Sequence, residues 1–458
     1  MWDECGGSLA CTTPDFKPSL NFAGYPARTS IAFVVGIMFL RIVLGVGLLS
    51  ASALTHPAFA TDTRVLQIVV STNRQSLSVY DGDTVIATSK VSTGKSGHST
   101  PNGIFSILEK ELYHESNIYS NSPMPFMQRL TWSGIALHES GSVPNYPASH
   151  GCVRMPKAFA KKLYQMTQPG VHVVISDQAL VPQPIEHATL FHPLAPAIGG
   201  PMFADIALRP SSAAFLADSK PVQLAMNDTA ALPPPPPLAA PRNEAPLSIL
   251  ITRRGLRENV RDLQGLLGDM GLYTGGADGL LGPATVKAIK DFRTAHAMSP
   301  TGGLVSAELM KAVYAAAGKG EPPNGAILVR QGFRPVLEAA AAIADPQEAL
   351  GTHFFTAHDV DRTNGRAGWY GITLESDLSK DAKKRLGITS EEQSESFNAA
   401  DRALDRVTIP DDVRHKIEDM LTSGSSLTIS DTGVGPETGQ GTDFITITRP
   451  GGLATKKG

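Results

Sequence analysis

The sequence predicts a multidomain chain with a mainly-β domain over residues 64–176, a small three-helix domain over 256–315 and an α+β region over 321–458. Three observations carry this. Short runs rich in Val, Ile and Thr recur between residues 65 and 108, as strands require. From 177 to 250 periodicity fades and proline accumulates, with an unbroken run at 233–237, which reads as a stiff linker. Leucines at helical spacing (Leu263, Leu266, Leu267) then return.

The first 60 residues read as a targeting segment. Residues 31–54 are apolar apart from Arg41, and His56-Pro57-Ala58-Phe59-Ala60 contains a small-x-small cleavage pattern. Read from Met38, the order is a short basic start, an apolar core and a small-residue end, which is the layout of a signal peptide. Met38 is then the expected true start. The alternative is a retained membrane anchor through residues 31–54, with Arg41 near one end of the span. Cleavage after Ala60 removes Cys5 and Cys11 and leaves Cys152 as the sole thiol, so no intramolecular disulfide can form. A lone thiol in an oxidising compartment is a liability unless it reacts for a purpose.

In the β-rich segment, strands are expected at 65–70, 75–80, 84–90, 104–108 and 132–137, with Asp81-Gly82 as a hairpin turn. Residues 156–168 predict an amphipathic helix with Phe159, Leu163 and Met166 on one side, stopped by Pro169-Gly170 and followed by a strand at 171–176. Chemistry concentrates in Ser149-His150-Gly151-Cys152-Val153-Arg154-Met155, with His138 upstream. A thiolate is the nucleophilic form of cysteine, and nearby positive charge or imidazole lowers its pKa. An isolated Cys is more often a small buried hydrophobe. Two His and one Cys could also ligate zinc, but His150 and Cys152 are only two apart and no CxxC or HxxxH pair supports them.

These motifs resemble the L,D-transpeptidase catalytic domain of the YkuD type, over residues 64–176. The family pattern is a histidine after a strand, then Ser-His-Gly-Cys-(Val/Ile)-Arg-(Met/Leu). Thr100-Pro101-Asn102-Gly103-Ile104-Phe105 and Met124-Pro125-Phe126 resemble two further family segments. The family usually has Gly or Ala after the first histidine, where this chain has Glu139-Ser140. The resemblance implies Cys152 as nucleophile and His138 as base. It makes Ser149, His150, Gly151 and Arg154 loop-shaping or substrate-binding, and it calls for no cofactor or metal. Peptidoglycan stem peptides and glycan would be the partners, with a thioester intermediate and a 3→3 cross-link as product. Hydrolysis of the same thioester by water, or a purely wall-binding role, are the rival readings.

Residues 256–315 resemble a three-helix peptidoglycan-binding domain, on Val260–Gln264 and the DGxxGxxT-like turn Asp278-Gly279-Leu280-Leu281-Gly282-Pro283-Ala284-Thr285. Val286, Ile289 and Phe292 are its expected core face. In the remaining stretch, 333–344 and 394–404 predict helices, and 367–374, 426–430 and 444–448 predict strands. Asp431-Thr432-Gly433-Val434-Gly435 reads as a structural turn rather than a phosphate or metal site. Net charge −3 without a long basic run argues against nucleic acid as a partner, and 42% hydrophobic residues is ordinary for globular domains.

Overall fold

The computed structural model describes residues 64–118, 121–195, 243–375, 378–390 and 398–451. The expected signal or anchor and the proline run lie outside these residues. Among the described residues, no helix is long and apolar enough to cross a membrane.

The first layer begins with β1 (Leu66–Ser71), β2 (Ser76–Asp81), β3 (Thr84–Lys90) and β4 (Asn102–Ser106). Gly82, at φ +61°, makes the tight β2–β3 turn that the Asp-Gly pair predicts. A small sheet follows, from β5 (Glu109–Glu115), β6 (Pro123–Arg129), β7 (Ala136–Glu139) and β8 (Val153–Met155). The strand expected at 132–137 thus starts later, because Trp132 sits exposed in the turn before it. Then come α1 (Lys157–Met166) and β9 (His172–Ser176), which runs parallel to β1. Ile68, Val70, Leu137, Val153, Leu163 and Val173 pack into one core between the large sheet, the small sheet and α1. Alternation puts Val69, Ile104 and Val174 on the opposite face of the large sheet, and that face is buried too.

What buries it is the C-terminal half. β10 (Gln183–Ile185) falls within the segment expected as linker, and β11 (Leu247–Arg253) begins inside it and runs past its end at 250. Next is a helical module of α2 (Leu256–Asp269), α3 (Pro283–Ala295) and α4 (Ala307–Ala316), with its own core around Leu263, Leu267, Ile289, Phe292 and Val313. Val286, expected in that core, is only half-buried. Gln264 on α2 ties down the Asp278–Thr285 turn. Its amide donates to Asp278 Oδ1 (2.8 Å) and Thr285 Oγ1 (3.0 Å), and its carbonyl accepts from Gly279 N–H (2.8 Å). The motif residues of that turn are therefore structural.

The chain then forms β12 (Gly325–Gln331), β13 (Arg334–Ile343), β14 (Thr352–Asp361), β15 (Arg366–Leu374), α5 (Lys380–Leu386), α6 (Ala399–Asp405), β16 (Val407–Thr408), α7 (Asp411–Met420), β17 (Ser426–Ser430) and β18 (Thr446–Arg449). Residues 333–344, expected as a helix, are strand β13. Local alanine propensity is overridden by the ladder with β12, closed by a turn in which Gly332 and Phe333 both have positive φ. Helix α6 occupies the C-terminal part of the helix expected at 394–404, whose first residues lie outside the described residues.

The eight-stranded sheet repeats the plan of the first. In order β15-β14-β17-β11-β12-β13, it matches β18-β4-β9-β1-β2-β3 strand for strand. β11 and β17 are parallel like β1 and β9, and the other pairs are antiparallel in both. Arg154 bridges Ser92 after β3, and Thr408 pairs with Ala342 at the end of β13. From β8 through α1 to β9, and from β16 through α7 to β17, the spacing is the same residue for residue, which places Arg406 where the first half has Cys152. The helical module is inserted between the first two strands of this second copy. Phe354, Ile372 and Leu374 cover the outer face of the first sheet, and β18 returns to pair with β4.

Candidate active site

β7 and β8 are adjacent parallel strands with His138 paired to Arg154 and Leu137 to Val153. Side chains alternate along a strand, so Ala136, His138 and Arg154 share one face, and Cys152, one step before β8, joins them. Leu137, Val153 and Met155 point the other way, into the core. The apolar-polar alternation of the motif therefore presents a thiol, an imidazole and a guanidinium to one cleft of about 80 Å³, which Ser149, His150 and Gly134 also line.

The loop before the thiol is fixed by its small and hydroxyl residues. Gly151 has φ +114°, a conformation that favours glycine, while an added Cβ would press on the movable end of the Ile135 side chain at 2.8 Å. Ser149, 2% exposed, donates its hydroxyl to the Cys152 carbonyl (2.5 Å) and accepts from Gly151 N–H (3.1 Å). Thr100 staples the loop from outside. Its hydroxyl donates to the Gly151 carbonyl (2.7 Å) and accepts from Gly94 N–H (2.9 Å). The His150 ring meets His98 edge-on, centroids 4.8 Å apart.

Both titratable groups sit in their neutral forms. His138, 8% exposed, is pushed down to about 4, chiefly by burial, against the hydrogen bond to the Glu139 carbonyl. That carbonyl can only accept, so Nδ1 is the protonated nitrogen (2.6 Å) and Nε2 keeps its lone pair. Burial pushes the Cys152 thiol up to about 11, and the opposing charges of Arg154 and Arg129 do not overcome it. Neighbouring charge does lower this pKa, as expected, but desolvation is the larger effect and the net shift is upward. The thiol donates to the Gly134 carbonyl at 3.3 Å.

Two charged or titratable cleft residues were not singled out from the sequence, Arg129 and His114, whereas Met124 belongs to the Met-Pro-Phe segment noted there. Arg129, held by Glu109 (2.8 Å), lies two residues past the Met-Pro-Phe-Met segment, which was the available signal. Among the described residues, no group of three His, Cys, Asp or Glu is placed to hold a metal ion.

Residues 66–175 match the L,D-transpeptidase catalytic domain family, YkuD. The matched segment contains every residue of the cleft. Residues 257–312 match a peptidoglycan binding domain, which is the helical module. Solved L,D-transpeptidases are similar over about a quarter of this chain. The one from Mycobacterium smegmatis is 24% identical over 25% of this chain and 59% of that chain, with TM-score 0.24. That from Stackebrandtia nassauensis is 30% identical over 24% and 55%, TM-score 0.23. That from Xylanimonas cellulosilytica is 25% identical over 24% and 60%, TM-score 0.23. The match thus spans less than two thirds of each of these solved chains. No curated protein matches the chain.

Proposed function

We propose that the chain is an exported peptidoglycan L,D-transpeptidase working through a Cys152 thioester. The observation that carries the reading is the shared face of β7 and β8, where Cys152, His138 and Arg154 line one cleft. Cys152 Sγ attacks the carbonyl of the third stem residue, a diamino acid. His138 Nε2 takes the thiol proton and returns it to the departing D-alanine amine. The side-chain amine of a second stem then attacks the thioester and releases the thiol, forming the 3→3 cross-link. The resting thiol must first turn from the Gly134 carbonyl toward His138. Ser149 already occupies the Gly151 N–H, so the loop's oxyanion donor is the N–H of Cys152. Arg154 orients a substrate carboxylate, while Ser149, His150 and Gly151 shape the loop. The helical module holds the enzyme on the wall, and the signal-like layout of residues 38–60 supports export.

Incubation with disaccharide tetrapeptide, followed by mass spectrometry, tests this. Wild type should yield cross-linked dimers, and Cys152→Ala none, with its fold intact. Release of D-alanine without dimers would make the protein a hydrolase instead; full activity in Cys152→Ala would remove the thioester mechanism.

A further inference from the structure

A cavity of about 720 Å³ lies between the start of α2, strands β11–β13, α5 and the Asp431–Gly435 turn. It shares no lining residue with the Cys152 cleft. Six arginines line it: Arg253, Arg254, Arg257, Arg261, Arg330 and Arg385. Only three carboxylates, Glu258, Glu338 and Asp431, do so, in a chain whose net charge is −3. Structural pairing uses some of this charge. Arg253 is buried against Asp431 (2.6 Å), Arg261 pairs with Glu338, and Arg254 pairs with Asp262 (2.8 Å). Arg257 and Arg385 are exposed and have no carboxylate within ion-pair distance among the described residues. The Nε–H of Arg254 is buried on the cavity wall without an acceptor. Leu256, Leu337 and Phe444 give the rest of the wall an apolar character.

The second copy of the fold that frames this cavity has no thiol chemistry to perform. Arg406 stands at the nucleophile position, with its guanidinium spent on the carbonyls of Ala344, Asp345, Glu348 and Ala349 at 2.8–3.1 Å. Guanidinium groups around an apolar-walled pocket suit a short peptide with carboxylates and small apolar side chains. We propose that this cavity binds the carboxylates of a peptidoglycan stem peptide, so that the inactive copy and α2 form a recognition site separate from the reacting cleft. The choice of peptide rests on the function proposed above. Arg257 and Arg385 supply the free charge; α2, the first helix of the wall-binding module, supplies one side.

The test uses the full chain carrying Cys152→Ala and a disaccharide tetrapeptide bearing a photoreactive diazirine. Irradiation should label peptides covering residues 254–261 or 380–386. Arg257→Gln with Arg385→Gln, two exposed substitutions, should cut that labelling at least about tenfold, as should amidating the probe's carboxyls. Labels confined to residues 114–154, labelling unaffected by the double variant, or equal displacement by inorganic phosphate would each overturn the site. Turnover of the soluble donor by wild type is read separately. Cavity labelling without turnover would sink the transpeptidase reading alone, and turnover without cavity labelling would sink this one alone.

Discussion

Cys152 and His138 face one cleft in uncharged forms, and that decides how the first proton moves. A preformed thiolate–imidazolium pair would need the thiol pKa below that of the imidazole. Here the thiol is at about 11 and the imidazole at about 4, so in the proposed mechanism the proton would leave sulfur only as the bond to the carbonyl forms. The acid limb of kcat/KM is therefore expected near pH 4, with activity sustained through pH 5.5. A limb near 6.5 would show a His138 that titrates as if in water. The same shift couples to stability. The folded pKa is depressed below the unfolded 6.5, so the contribution is present above 6.5 and lost as pH falls toward 4. His138→Gln should flatten the fall of the denaturation midpoint across that window. The buried His172, also lowered by desolvation, keeps some slope in place.

At the scale of elements, the loop before Cys152 is held by hydroxyls as well as by backbone bridges to residues 92–95. Thr100 sits in the Thr-Pro-Asn-Gly segment before β4, and its hydroxyl satisfies two backbone groups of the loop region. Thr100→Val removes both bonds and leaves a buried N–H and carbonyl without partners. Each orphan costs about 1–3 kcal/mol. Urea denaturation should show a loss of about 2–6 kcal/mol for the two orphans together, and thioester formation by mass spectrometry should slow, while Thr100→Ser restores both. A Thr100→Val protein that matches wild type in both measurements would remove the staple from the account. The helical module differs, since its core is internal and Gln264 closes its turn. A fragment of residues 256–315 is expected to fold alone and to enrich isolated peptidoglycan in a pull-down; no enrichment over a control protein would count against wall binding by the module.

At the scale of the molecule, the segment over residues 66–175 is one face of a two-sheet body. Val69, Tyr80, Ile104 and Val174 are covered by Phe354, Ile372 and Leu374 from the second copy. Asp443 reaches across to accept from Ser106 Oγ (2.6 Å) and Ser248 Oγ (2.9 Å), joining the two sheets. Arg449 on β18 pairs with Asp177 beyond β9. Cutting the chain to residues 61–195 uncovers that apolar face and leaves the β4 edge unpaired. The fragment should self-associate on size exclusion and melt below the full chain. A monomeric fragment with the full chain's melting temperature would show the second copy to be dispensable for folding.

The sequence by itself determined what is local. Asp81-Gly82 marks its hairpin because only a residue free to take positive φ closes it. Cys152 and His138 stood out as candidates by residue type and motif, and the fold brings both to one cleft. The helical module showed through leucine periodicity and the Asp278–Thr285 turn. Only the tertiary structure decided the rest. The second copy was invisible because its first two strands, β11 and β12, are separated by the whole helical module, and because Arg406 erases the motif that identified the first. Strand β13 looked helical because alanine propensity is a local preference, whereas its ladder with β12 is not. The protonation of Cys152 also turned on packing: the sequence displays the charges around the thiol, but how much water reaches it is fixed only when β7, β8 and the loop close over the cleft, and there desolvation outweighs the charges.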